Sequence, residues 1–209
     1  MWLTAPAYAA TTHDAATWTS VVAQVDLHEG EDHGPRLMAD VHARRTGAAF
    51  TAIVRPAIGW DVNKSLSIAV GGAWVGVAGA STEGELVSEA RVWEQVLLAG
   101  KVEDLALGLR FRLEQRVLAD GAGHRVRVWG RAAMPVSDAL SFVATDEVFV
   151  GTLGPSAPVA FDQNRLFLGV ALPVLEKSRI ELGYTHVLVV RGDATTHIHV
   201  LASNLFLSR

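Results

Sequence analysis

From residue 105 the chain alternates residue by residue. In LALGLRFRLEQRVL, Leu105, Leu107, Leu109, Phe111 and Leu113 hold the odd positions, while Arg110, Arg112, Glu114 and Arg116 hold the even ones. A helix turning about 100° per residue would scatter those charges around its circumference, whereas a strand puts them on one face. The segment is predicted as a strand with one apolar and one ionic side. LMADVHARR sets Leu37, Ala39, Val41 and Ala43 against Met38, Asp40, His42 and Arg44. HRVRVWGRAAM sets Val126, Val128, Gly130, Ala132 and Met134 against Arg125, Arg127, Trp129 and Arg131. QNRLFLGVAL sets Leu166, Leu168, Val170 and Leu172 against Arg165, Phe167, Gly169 and Ala171.

Weaker alternation runs over Trp18 to Leu27, Phe50 to Ile58, Leu66 to Val77, Glu89 to Leu98, Leu140 to Val150, Ile180 to Val190 and Ile198 to Leu207. Turn formers separate the segments: EGEDHGP, RTG, WDVNKS, GASTEGE, ADGAGH, PVSD, GTLGPSAP, LEKS and RGDATT. The pattern predicts about eleven strands and no helix. Several segments exceed the usual five or six residues of a globular strand and reach the nine to eleven of a tilted membrane-crossing one. After Gly79 the breaks alternate longer and shorter, as expected of a barrel with long loops at one rim and short turns at the other.

Composition decides which face is inside. The chain has 209 residues, half of them hydrophobic, with mean hydropathy +0.26. No run approaches the roughly 18 apolar residues of a membrane-spanning helix. In a soluble sandwich the arginines would face water, but lysine is scarce here and arginine dominates the strands. A planar guanidinium suits enclosed, multiply bonded ion networks better than an ammonium does. The ionic face therefore reads as an interior and the leucine face as lipid-facing, which requires a sheet closed on itself because hydrocarbon tolerates no unpaired edge.

The expected fold is all-β: an antiparallel up-and-down transmembrane barrel of ten to twelve strands with a polar lumen, an even count being the one that closes antiparallel. Residues 17–209 form this single domain and residues 1–16 a signal-peptide remnant or leader, since Ala7-Tyr8-Ala9 has the small-x-small form of a cleavage site. The expected location is the bacterial outer membrane. Trp18, Trp60, Trp74, Tyr184 and Phe206 fall near segment ends, where an interfacial girdle would place them. Strict alternation puts Glu94 and Asp146 on the apolar face, so each is expected near a membrane boundary or at a bulge that turns it inward.

The expected lumen network comprises Glu89, Arg91, Arg110, Arg112, Glu114, Arg116, Arg125, Arg127, Arg131, Glu147 and Arg165. The expected lipid-facing set is Leu105, Leu107, Leu109, Phe111, Leu113, Val126, Val128, Leu166, Leu168 and Val170. Paired, the ions would fill and close a barrel; in excess, the arginines would draw small anionic solutes into a narrow pore. Net charge is -4, and the lone basic stripe GHRVRVWGR argues for no nucleic-acid partner. Cysteine is absent, which excludes disulfides and thiolate metal sites. His197 and His199 share a strand face as in some metal sites, but no third ligand stands at telling spacing, so no metal or other cofactor is expected. Asp40, His42 and Ser141 lack a nucleophile motif that would make them an acyl-transfer site, and no enzyme activity is expected.

The chain resembles the family designated domain of unknown function 2490. The resemblance rests on Trp18, Arg55-Pro56 with Gly59-Trp60, Glu89-x-Arg91-x-Trp93-x-Gln95, and Arg110-x-Arg112-x-Glu114-Gln115-Arg116. It continues through Glu147-Val148-Phe149, Phe161-Asp162-Gln163-Asn164-Arg165 and Leu182-Gly183-Tyr184. Ala57 stands where the family pattern often has glycine, Trp60 where it has tyrosine, and NLFLSR ends without a terminal aromatic, leaving Phe206 to serve as insertion signal. The resemblance implies an exported outer-membrane barrel and brings no catalytic or ligand-binding residues. The other function class open to these residues is a soluble exported barrel or sandwich binding a small apolar ligand.

Overall fold

A computed structural model describes residues 11–28, 32–79, 85–118, 121–152 and 159–209. Its strands are β1 (Thr11–Asp26), β2 (Gly34–Thr46), β3 (Ala49–Asn63), β4 (Leu66–Ala78), β5 (Val87–Val102) and β6 (Leu105–Leu118). They continue with β7 (Gly121–Ser137), β8 (Leu140–Gly151), β9 (Ala160–Leu175), β10 (Ser178–Arg191) and β11 (Ala194–Ser208). Each pairs with its neighbour in sequence, and β1 meets β11 to close the barrel. All-β architecture, meander order and strand number follow the alternation.

The seam departs from the expected antiparallel pattern. With eleven strands the first and last run the same way, and β1 pairs β11 in parallel from Thr11↔Thr195 to Gln24↔Ser208. Parallel hydrogen bonds are evenly spaced and slanted but complete, so an odd count closes without an edge. The strand also starts earlier than expected. Residues 11–16, assigned to the leader, pair with β11 as part of β1, while residues 1–10 of that segment lie outside the described residues. Connections 79–86 and 152–159 are the long ones at the rim where β1 begins, but β6 and β7 are joined there by residues 119–120 alone, so long and short breaks do not alternate throughout.

Odd residues of β6 face out and even ones face in, and the register carries this division around the wall. Leu107, Leu109, Phe111, Leu113, Val126, Val128, Leu166 and Leu168 are exposed on the outside, with Leu105 and Val170 half-buried on the same face. Trp60, Trp74 and Tyr184 are exposed there too. Trp18 and Phe206 correct the girdle expectation, because both turn inward against guanidinium groups, Trp18 under Arg44 and Phe206 under Arg179. Glu94 and Asp146 remain on the outer face with no bulge at either position. An amide from the next strand satisfies each: Gln115 Nε2 donates to Glu94 at 3.1 Å and Asn164 Nδ2 to Asp146 at 2.5 Å.

The interior is not polar throughout. Around the seam, Val143, Phe167, Ala171, Val187, Val200 and Ala202 pack together with Ala16 in an apolar cluster. Here the strands read as near-continuous apolar runs such as LGVAL and HVLVV, which supply hydrophobic residues to both faces. Phe167 fills the cluster by lying over Gly169 and Gly183, which pair directly across β9 and β10. A Cβ on Gly183 would stand 2.3 Å from the Leu168 carbonyl oxygen and 2.8 Å from the Phe167 ring. Gly183→Ala is therefore expected to lose about 1–3 kcal/mol through displaced packing, read as a lower denaturant midpoint for the refolded barrel.

Candidate functional site: the arginine-lined lumen

Five adjacent strands, β5 to β9, bring the ionic residues together because facing positions across each ladder are both inward. Glu114 lies opposite Arg125 and Trp93, Arg112 opposite Arg127 and Gln95, and Glu147 opposite Trp129 and Arg165. Glu114, 1% exposed, is the centre of one knot. It accepts from Arg125 Nη2 and Arg127 Nη1 at 2.5 Å each, and Arg91 Nη1 lies 3.6 Å away. Glu147 centres a second, accepting from Arg110 Nη2 at 2.6 Å and from Arg127 Nη2 at 2.8 Å. Arg127 thus bridges the two carboxylates.

Smaller knots extend the network toward both rims. Glu89 holds Arg91 and Arg116 in two bidentate pairs at 2.5–3.1 Å. Asp162 takes Arg125 and Arg191, and Glu181 takes Arg131 and Arg179. Asp40 accepts from Arg55 Nε at 2.6 Å, with His42 Nε2 at 3.2 Å. Asp40 and His42 are thus joined to each other and to Arg55, while Ser141 stands on β8 opposite Ala171. Asp26, His28 and Asp61 also converge, but Arg36 already pairs with both carboxylates, which makes the cluster an ion-pair knot.

Three lumen arginines lack a carboxylate within ion-pair distance among the described residues. Arg112 donates to Gln95 at 2.6 Å and stacks on Trp93 at 4.0 Å. Arg44 lies 4.3 Å and Arg165 5.0 Å from the centre of the Trp18 ring, and Arg165 also lies over Phe149 at 4.5 Å. Aromatic faces attract desolvated guanidinium groups, so rings stand here where acids would otherwise be needed. Buried N–H groups of Trp18, Arg44 and Arg165 remain without a partner, and this side of the lumen carries excess positive charge.

All eleven residues expected in the lumen face it, and all but Arg165 are joined by ion pairs or hydrogen bonds to another lumen residue. Arg44, Arg55, Asp40, Asp162 and Glu181 were missed. Arg44 and Asp40 had the right parity in LMADVHARR, so their signal was present. Asp162 had the wrong parity. A register shift where β8 meets β9 pairs Phe149 with Gln163 and Val150 with Phe161, so Asp162 and Gln163 are both turned inward.

Residues 15–196 match the family described as protein of unknown function (DUF2490). The chain belongs to this family. An uncharacterised protein of Methylorubrum extorquens is 31% identical over 164 residues, covering 74% of this chain and 71% of that protein. No solved structure matches the chain. Within this DUF2490 barrel the most specific motif, Arg110-x-Arg112-x-Glu114-Gln115-Arg116, supplies the even-numbered inward column of β6 and, through Gln115, the outward amide that caps Glu94.

The carboxylates carry the network. Glu114→Gln leaves Arg125 and Arg127 undercompensated in the barrel, and breaking such a buried pair costs about 3–5 kcal/mol. The variant should unfold at clearly lower guanidinium concentration than wild type, while the exposed Asp104→Asn should match wild type.

Proposed function

We propose that the protein is a bacterial outer-membrane β-barrel whose resting lumen is closed by its own side chains. The observation that carries this reading is the inverted distribution of polarity. Among the described residues most ionic side chains of β5 to β9 point into a closed sheet, where Arg112, Glu114, Arg125, Arg127 and Glu147 are buried, while leucine, valine and phenylalanine line its outside. Lipid accepts such a surface, and closure leaves no strand edge for it to reject. The two outward acids each carry an amide partner, which lowers the cost of holding them against hydrocarbon.

Closure of the lumen rests on packing. Phe149, Trp93 and Glu114 are 0–2% exposed, and their contacts leave the middle of the barrel occupied by guanidinium groups, carboxylates and rings. Arg44 and Arg165, which have no carboxylate within ion-pair distance among the described residues, make anions the solutes such a lumen admits whenever the plug rearranges. A small apolar ligand, the occupant of a soluble binding barrel, has less to recommend it, because the apolar inner side chains already pack on one another.

Three measurements check this reading. The protein should resist a salt wash of bacterial envelopes and require detergent for release; recovery in the wash would remove the membrane assignment. Leu109→Arg should prevent insertion, at about 2–4 kcal/mol for a charge facing mid-bilayer, whereas Arg112→Leu should insert. Wild-type protein in planar bilayers should conduct little at any salt, and a steady, large conductance would overturn the plugged lumen.

A further inference from the structure

On the outer face a cluster of four histidines sits at the parallel seam. Alternation turns His13 of β1, His197 and His199 of β11 and His186 of β10 outward, opposite the inward Ala16, Val200 and Val187. Register places His13 beside His197 and His186 beside His199. His13 Nδ1 lies 3.3 Å from His199 Nε2, and His186 Nε2 lies 3.0 Å from His197 Nδ1. The His13 ring stacks on His197 and His199 at centroid distances of 5.0 and 5.6 Å, and His186 lies 5.2 and 5.8 Å from the same two rings. Among the described residues no carboxylate pairs with any of the four.

We propose that these four histidines bind one divalent transition-metal ion of the zinc class. Imidazole nitrogen is the ligand such ions favour. With metal–nitrogen bonds of about 2.0–2.1 Å, tetrahedral geometry separates ligand nitrogens by about 3.3–3.4 Å. The His13–His199 separation falls at that spacing, so an ion replaces the proton between these rings without moving the strands. His197 and His186 turn about their side-chain bonds to complete the shell. Tyr184 supplies the outer partner that histidine ligands require: its oxygen lies 2.6 Å from His199 Nδ1. Accepting the proton on Nδ1 leaves the Nε2 lone pair aimed at His13. The sequence showed only His197-x-His199; His186 comes from the neighbouring hairpin strand β10, and His13 from β1, which adjoins β11 only in the closed barrel.

Titration of the detergent-solubilised full chain with Zn2+ tests the site by calorimetry, with Co2+ visible absorption as a second readout. One ion per barrel is expected, with a tetrahedral nitrogen-type Co2+ spectrum. The double variant His197→Ala with His199→Ala should abolish saturable binding. Tyr184→Phe, which keeps the ring, should weaken binding about 10- to 100-fold, and His124→Ala on β7 should leave it unchanged. Circular dichroism and heat-modifiable gel mobility establish that each variant is a folded barrel. The proposal is overturned by no saturable binding to the wild type, by two ions per barrel, or by binding that survives the double variant.

Discussion

A guanidinium enclosed by a sheet cannot reach bulk water, so each one obliges the chain to provide a carboxylate, an amide oxygen or a ring face within a few ångströms. That obligation organises this barrel. Arg127 takes two carboxylates. Arg112 faces Arg127 across the β6–β7 ladder and is drawn away to Gln95 and Trp93. Arg44 and Arg165, with no carboxylate within ion-pair distance among the described residues, rest on aromatic rings. Slipping one strand by one residue would carry its charges outside and its leucines inside, so the network also pins register.

The same constraint explains how eleven strands are filled. A ring of this size encloses more space than aliphatic side chains from one strand set can occupy. Long arginines reach across it from β5 to β9, and the apolar cluster around Phe167 and Val187 fills the sector near the seam. The two fillings meet at Trp18, which packs against the apolar cluster and has the guanidinium groups of Arg44 and Arg165 near its ring.

Much of the wall was legible from alternation alone. A period of two assigned Arg110, Arg112, Glu114 and Arg116 to one face and their leucine neighbours to the other, because a strand leaves no third direction. Three features escaped. Parity of charge said nothing about Asp162, since a register irregularity between neighbouring strands is a pairing property. Trp18 and Phe206 read as girdle residues because position along a segment does not reveal which side a ring faces. The parallel seam, and the histidines it gathers, depends on how the two most distant strands meet, and no local pattern encodes that meeting.

The seam also sets when the arginines become dry. Its side-chain contacts join residues 184 to 186 positions apart, as in Thr12 with Thr196 and His13 with His199, the longest side-chain closures among the described residues. Contacts at such separation reward the chain only after its full loop entropy has been met. Until β1 finds β11 the sheet is an open trough, and its charges are hydrated whatever ion pairs they have made. One hydrogen-bonded ladder thus converts a wet, screened surface into an enclosed network, so strand closure and lumen dehydration are a single cooperative event.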